Sequence, residues 1–135
     1  MTKWAHSLIR ISTYEVETLQ KRLAEITARR VSAEMRAATL DAEREVERER
    51  ARDDAEALSL MPAYMRGWKL RRGAAQAQAD AVAKEEQGAR EALAQAFEAQ
   101  KKFEHVAEMS RRQALAEAGK REAAMLDELA IQRAG

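Results

Sequence analysis

A stripe of largely apolar positions recurs alternately three and four residues apart through the first half of this chain. It reads Ile9, Ser12, Val16, Leu19, Leu23, Ile26, Arg30, Ala33, Ala37, Leu40, Arg44, Glu47, Ala51, Asp54, Leu58 and Met61. The mean step of about 3.5 keeps one seam of an α-helix facing a partner helix. The stripe predicts a single helix over about residues 3–59, roughly 80 Å long at 1.5 Å per residue. A rod of that kind offers ends and faces but no pocket, so a scaffolding role is expected and an enzyme is not.

The chain has one proline, Pro62, set in its only cluster of bulky residues, Leu58 to Leu70. A residue before proline is pushed out of the helical region, and proline itself is favoured as the first residue of a helix. These rules place a turn at about 59–62 and a second helix over about 62–133. Gly67 and Gly73 weaken the first turns of that helix, and Gly88 and Gly119 are tolerable within it. Its apolar positions are Val82, Ala89, Leu93, Ala96, Phe97, Phe103, Val106 and Ala107, then Leu115, Ala118, Met125 and Leu129. The step from Phe103 to Leu115 loses the heptad phase.

Helix, turn, helix predicts an all-α fold: a single domain over 1–135, built as a long antiparallel two-helix coiled-coil hairpin with an overhanging C-terminal helix. A turn centred between Leu60 and Met61 sets Leu40 near Val82, Leu23 near Phe97, and Leu19 and Val16 near Phe103 and Val106. The expected seam is therefore Val16, Leu19, Leu23, Ile26 and Leu40 against Val82, Leu93, Phe97, Phe103 and Val106. The first helix runs out opposite about Lys120, so the remaining residues project as a single helix of roughly 20 Å. That projection carries Met125, Leu126, Leu129 and Ile131 without an intramolecular cover. With Trp4 and Leu8 at the other terminus, Met125 and Leu129 make one candidate docking end.

Composition narrows the function. Charged residues are 35% of the chain and aromatics 4%, the profile of long helices. The net charge is +1 with acids and bases interspersed, which gives no field to draw nucleic acid. The absence of cysteine excludes disulfides and thiolate chemistry. No run of about 18 apolar residues is present to span a membrane. The opening, MTKWAHSLIRISTYEVE, lacks the continuous apolar core of a secretory signal.

The charged run Glu43 to Asp54 places opposite charges three apart, as in Glu45/Arg48 and Glu47/Arg50, a solvated helix held by its own weak pairs. His6 and His105 have no carboxylate cluster at ligand spacing, so no metal and no cofactor are expected. The bulky cluster is different. Tyr64, Met65, Trp68 and Leu70, rimmed by Arg66, Lys69, Arg71 and Arg72, exceed what two adjacent helix ends can bury. Such residue types are enriched at interface hot spots, so Tyr64, Met65, Trp68 and Arg72 form a second candidate docking site.

The whole chain resembles the FliJ family of coiled-coil stalk proteins. Its opening, Leu8-Ile9-Arg10-Ile11 with Glu15-Val16-Glu17 and Leu23-Ala24-Glu25, is similar to the family's amphipathic start. The step from Tyr64 to Trp68 resembles its mid-chain aromatic pair, and Leu93…Phe97…Lys101-Lys102-Phe103-Glu104 its run of aliphatic, aromatic, basic, apolar and acidic residues. The tail ending Leu126-Asp127-Glu128-Leu129 is similar too, whereas Arg72, Ala75 and Ala79 depart from the pattern in lacking large residues. The resemblance implies a cytoplasmic stalk of a flagellar or injectisome type III export apparatus, at the inner face of the cell membrane. Its terminal end (Trp4, Leu8, Met125, Leu129) would enter a hexameric export ATPase. Its hinge side (Tyr64, Met65, Trp68, Arg72) would reach a membrane export-gate protein, and it would also handle export chaperones. A monomeric hairpin, without nucleic acid and without membrane insertion, is implied. A dimerising coiled-coil adaptor and a holdase-type export chaperone remain alternatives.

Overall fold

A computed structural model describes residues 2–134. The fold is all-α: helix α1 (Thr2–Arg52) and helix α2 (Ala55–Ala134) pack antiparallel, with no strand among the described residues. Contacts divide the chain into two compact units, residues 19–93 and residues 1–18 with 94–135.

The first unit contains the reversal, and it lies at Asp53–Asp54, not at about 59–62 as the proline suggests. Arg50 and Arg52 occupy the last turn of α1, where cations complement the negative end of the helix dipole. Asp54 then caps α2. Its Oδ1 accepts the backbone N–H of Glu56 at 3.0 Å and of Ala57 at 3.3 Å, and its carbonyl accepts Leu58 N–H at 2.9 Å. Glu56 adds a negative charge to the first turn.

Pro62 therefore sits inside α2. Its missing N–H leaves the Leu58 carbonyl without a helical donor, but Leu58 is 61% exposed, so solvent can supply one. A proline inside a helix costs about 3 kcal/mol, more than an aspartate cap of about 1 kcal/mol returns. The balance is decided by what this reversal aligns. It buries Trp68, a side chain whose truncation in a core costs about 3–5 kcal/mol, and it matches charged side chains across the seam.

Along α1 the seam follows the predicted stripe as far as Ala51. Val16, Ile26, Ala37, Leu40 and Ala51 are buried, while Leu19, Leu23, Arg30, Ala33, Arg44 and Glu47 between them are half-buried. On α2 the buried positions are Trp68, Ala75, Ala79, Val82, Glu86, Ala89 and Ala96. Ile26, Val82 and Ala89 form one cluster with Leu23 against it, and Ala37, Leu40 and Ala75 form another. Leu40 thus packs at the level of Ala75 instead of Val82. Small residues at 75 and 79 are seam positions.

In the second unit Ala5, Ser12 and Val16 are buried on α1 and Ala96 and Ser110 on α2, with Gln100 Nε2 donating to Thr13 Oγ1 at 3.0 Å. Phe103 is a half-buried seam residue here, as Leu93 is in the first unit. Phe97 and Val106, expected in the seam, are exposed, at 37% and 42%. The α2 stripe here runs Ala96, Gln100, Phe103, Ala107, Ser110, so each lies one position off it and is turned about 100° away.

The position of the reversal predicts opposite signs for two substitutions. Asp54→Ala should lower stability by about 1 kcal/mol through loss of the cap. Pro62→Ala should raise it, by up to about 3 kcal/mol, by restoring a helical hydrogen bond. Urea midpoints measure both. A reversal at Pro62 would instead leave Asp54→Ala silent and make Pro62→Ala neutral or harmful.

Candidate functional site

The aromatic cluster of α2 divides into two kinds of residue. Trp68, at 8% exposure, lies between the helices, and its indole Nε1–H donates to the Leu40 carbonyl at 2.7 Å. The Arg44 guanidinium stacks over the ring, 4.5 Å from its centroid. Arg44 Nε comes within 3.4 Å of Glu45 Oε1 but has no well-directed hydrogen bond, so the stack is its main local partner. One helical turn further, Arg72 Nε donates to Asp41 Oδ1 at 2.9 Å and its Nη1 to Gln76 Oε1 at 2.8 Å. Gln76 in turn donates to Asp80 at 2.9 Å. Trp68 and Arg72 hold α1 against α2; they are not a free surface.

Tyr64 and Met65 are half-buried, and Arg71 approaches the Tyr64 ring at 5.9 Å. Leu58, Leu60 and Leu70 around them are exposed large side chains. What the cluster offers a partner is this outer part.

A second polar knot sits in the seam itself. Arg30 Nε donates to Glu86 Oε2 at 2.8 Å, and Arg30 Nη1 reaches both Glu34 oxygens at 3.0 Å. Arg90 Nη2 reaches Glu86 Oε1 at 3.3 Å. Glu86 is a buried carboxylate, and the hydrogen bond from Arg30 holds it below the ordinary carboxylate range. The same bond, with Glu34, raises Arg30. A buried pair of this kind adds little net stability over an apolar one, but a slipped register would leave both charges unpaired.

At the terminal end, Ala5, His6 and Ile9 of α1 meet Glu104, Ala107, Glu108 and Ser110 of α2 in a shallow groove. Trp4 beside it is exposed and Leu8 half-buried. Glu108 receives hydrogen bonds from Arg111 at 2.7 Å and Arg112 at 3.2 Å, which pull its carboxyl down to about 2. From Arg111 to Ala134 every residue of α2 is exposed, Met125, Leu126, Leu129 and Ile131 included. Trp4 and Leu8 are not brought together with Met125 and Leu129, which lie about 20 Å or more further along α2 than the groove.

Sequence reasoning overlooked one exposed face. Val31, Met35 and Val46 point outward on α1. Val31 and Met35 lie on a second three-and-four spacing, Ala24, Ala28, Val31, Met35, Ala38 and Ala42, two positions ahead of the seam. Among the described residues no group of three or more His, Asp or Glu is placed to hold a metal ion, and no helix is long and apolar enough to cross a membrane.

Paired charges, a helix–helix seam and uncovered apolar stretches define a hairpin of the coiled-coil class. The chain is 54% identical, over 134 residues, to the flagellar FliJ protein of Caulobacter vibrioides, in strain NA1000 and equally in strain ATCC 19089. The match covers 99% of this chain and 96% of the relative. The chain belongs to the FliJ family. No family model matches it, and no solved structure does.

Two predictions come from these groups. Trp68→Phe should cost about 1 kcal/mol for the lost indole bond, and Trp68→Ala about 3–5 kcal/mol, both read from urea unfolding. An alanine variant as stable as the native chain would put Trp68 outside the seam. The second concerns pH. Because the folded carboxyl of Glu86 is depressed, its contribution is complete above the unfolded carboxylate range and is lost as pH falls through the folded value. Glu86→Gln should lower the thermal midpoint at pH 7 and flatten its fall below about pH 4.5, the ordinary carboxylate value. An unchanged acid limb in that variant would assign the transition to other carboxylates.

Proposed function

We propose that this protein is the cytoplasmic stalk of the flagellar type III protein export apparatus. In this reading it joins a hexameric export ATPase to a membrane export-gate protein and assists export chaperones, from a position at the inner face of the cell membrane. The observation that carries the reading is the match at 54% identity, along nearly the whole of both chains, to a protein named flagellar FliJ. The hairpin supports it. A two-helix seam that leaves one helix end uncovered provides separate places for separate partners.

The ATPase end is assigned to the exposed tail of α2, with Met125 and Leu129, and to Trp4 and Leu8 at the start of α1. The gate side is assigned to Tyr64 and Met65 with Leu70, held in place by Trp68 and Arg72. The exposed tail is the more consequential of the two, since residues 111–134 bury nothing within the chain.

The test is truncation after Lys120 combined with purified export ATPase. Helix content per residue should stay nearly constant while stimulation of the ATPase disappears. Full stimulation by the truncated chain would remove the terminal assignment. In parallel, Tyr64→Ala should weaken gate binding by about 2 kcal/mol, the size of a hot-spot truncation, without lowering the thermal midpoint as Trp68→Ala does. Failure of the full-length chain to co-purify with either ATPase or gate would count against the stalk reading as a whole.

A further inference from the structure

The seam does not stop at the turn. Its alternation of four and three continues through Ala51, Asp54, Leu58, Met61, Met65 and Trp68, and on α2 it keeps the same phase to Ser110. From Ala5 to Ser110 no step departs from the pattern. A reversal of chain direction does not require this, because the geometry of the turn sets which face of α2 meets α1. A single unbroken stripe is required only of one continuous helix.

We propose that the hairpin can open at Asp53–Asp54 into one continuous helix, and that two such helices pair antiparallel as a domain-swapped dimer. The occupant of the opened seam is a second copy of this chain. In it α1 of each copy lies on α2 of the other, so every contact across the seam is regained: Arg30 with Glu86, the Trp68 indole with the Leu40 carbonyl, and Arg72 with Asp41.

Three features of the turn favour this exchange. It has only two residues, and short connections of this kind invite swapping. Neither residue adopts a positive φ or is a glycine, so both can enter a helix without strain. Finally, Leu58 holds a seam position yet is 61% exposed in the closed hairpin. At the centre of the dimer the Leu58 side chains of the two copies come together beside Asp54 and Met61. The cap that Asp54 provides to α2 opposes opening, since it exists only while the turn is closed.

The test is the mass of refolded protein by light scattering. Replacing the turn aspartates, Asp53→Ala with Asp54→Ala, removes the cap from the closed form alone. It should raise the dimer-to-monomer ratio by at least about tenfold, since two caps are lost per pair of monomers. Adding one alanine between residues 53 and 54 of that variant leaves room for a turn but rotates the two halves of the stripe about 100° apart. That insertion should return the protein to monomer. The chain has no cysteine, so single-cysteine chains Ala37→Cys and Ala75→Cys can be mixed, refolded and oxidised. Swapping predicts a disulfide between the two different chains. An unchanged dimer ratio in the alanine variant, dimers that survive the insertion, or disulfides joining like chains at position 37 would each overturn the proposal.

Discussion

A two-helix hairpin has one seam to bury, and everything else about this protein is constrained by how little that seam contains. Its buried apolar positions are mostly alanine, with Val16, Ile26, Leu40, Val82 and Trp68 as the larger members. Alanine contributes little burial, so apolar area alone discriminates weakly between one alignment of the helices and the next heptad along. The polar contacts supply the discrimination. Arg30 with Glu86 and Arg72 with Asp41 can form only in one alignment, and an unpaired guanidinium or carboxylate in the seam costs far more than a lost alanine contact.

The small side chains at Ala75 and Ala79 and the large Trp68 divide the labour along α2. The alanines are buried with little side chain, whereas the indole occupies the seam and donates to a backbone carbonyl of α1. The Arg44 guanidinium covers the ring from the other side and brings a charge into the seam without burying it fully. One hydrogen bond and one cation–π stack tie this level of the hairpin. It lies on the α2 side of the turn, between the capped helix start and the alanine stretch.

Much of this was legible in the residues. The seam of α1 follows from period alone, because a helix of such length can hide only the positions that return every 3.5 residues. The reversal was not, since two signals compete: Pro62 forbids a helical hydrogen bond, and Asp54 offers a cap to the N–H groups of Glu56 and Ala57. Which one prevails depends on long-range alignment, and a local rule cannot weigh Trp68 against Leu40. Phe97 and Val106 were misplaced for a related reason. They are larger apolar residues than their neighbours Ala96 and Ala107, but phase and not bulk selects the seam, and phase favours the alanines. At the aromatic step, residue type pointed to an interface. It could not separate the interface between the two helices, which takes Trp68 and Arg72, from one with another molecule.

The separation in sequence of the paired residues has a kinetic meaning. Trp68 and Leu40 are 28 residues apart, Arg30 and Glu86 are 56 apart, and Thr13 and Gln100 are 87 apart. Closing each successive level straight from the unfolded chain costs more loop entropy than the one before, unless the nearer levels have already closed. The hairpin is thereby built to zip from the turn outward and to fray in the reverse order, with the level of Thr13 and Gln100 forming after that of Arg30 and Glu86 and opening before it. The seam levels furthest from the turn are the part whose order depends most on what they touch.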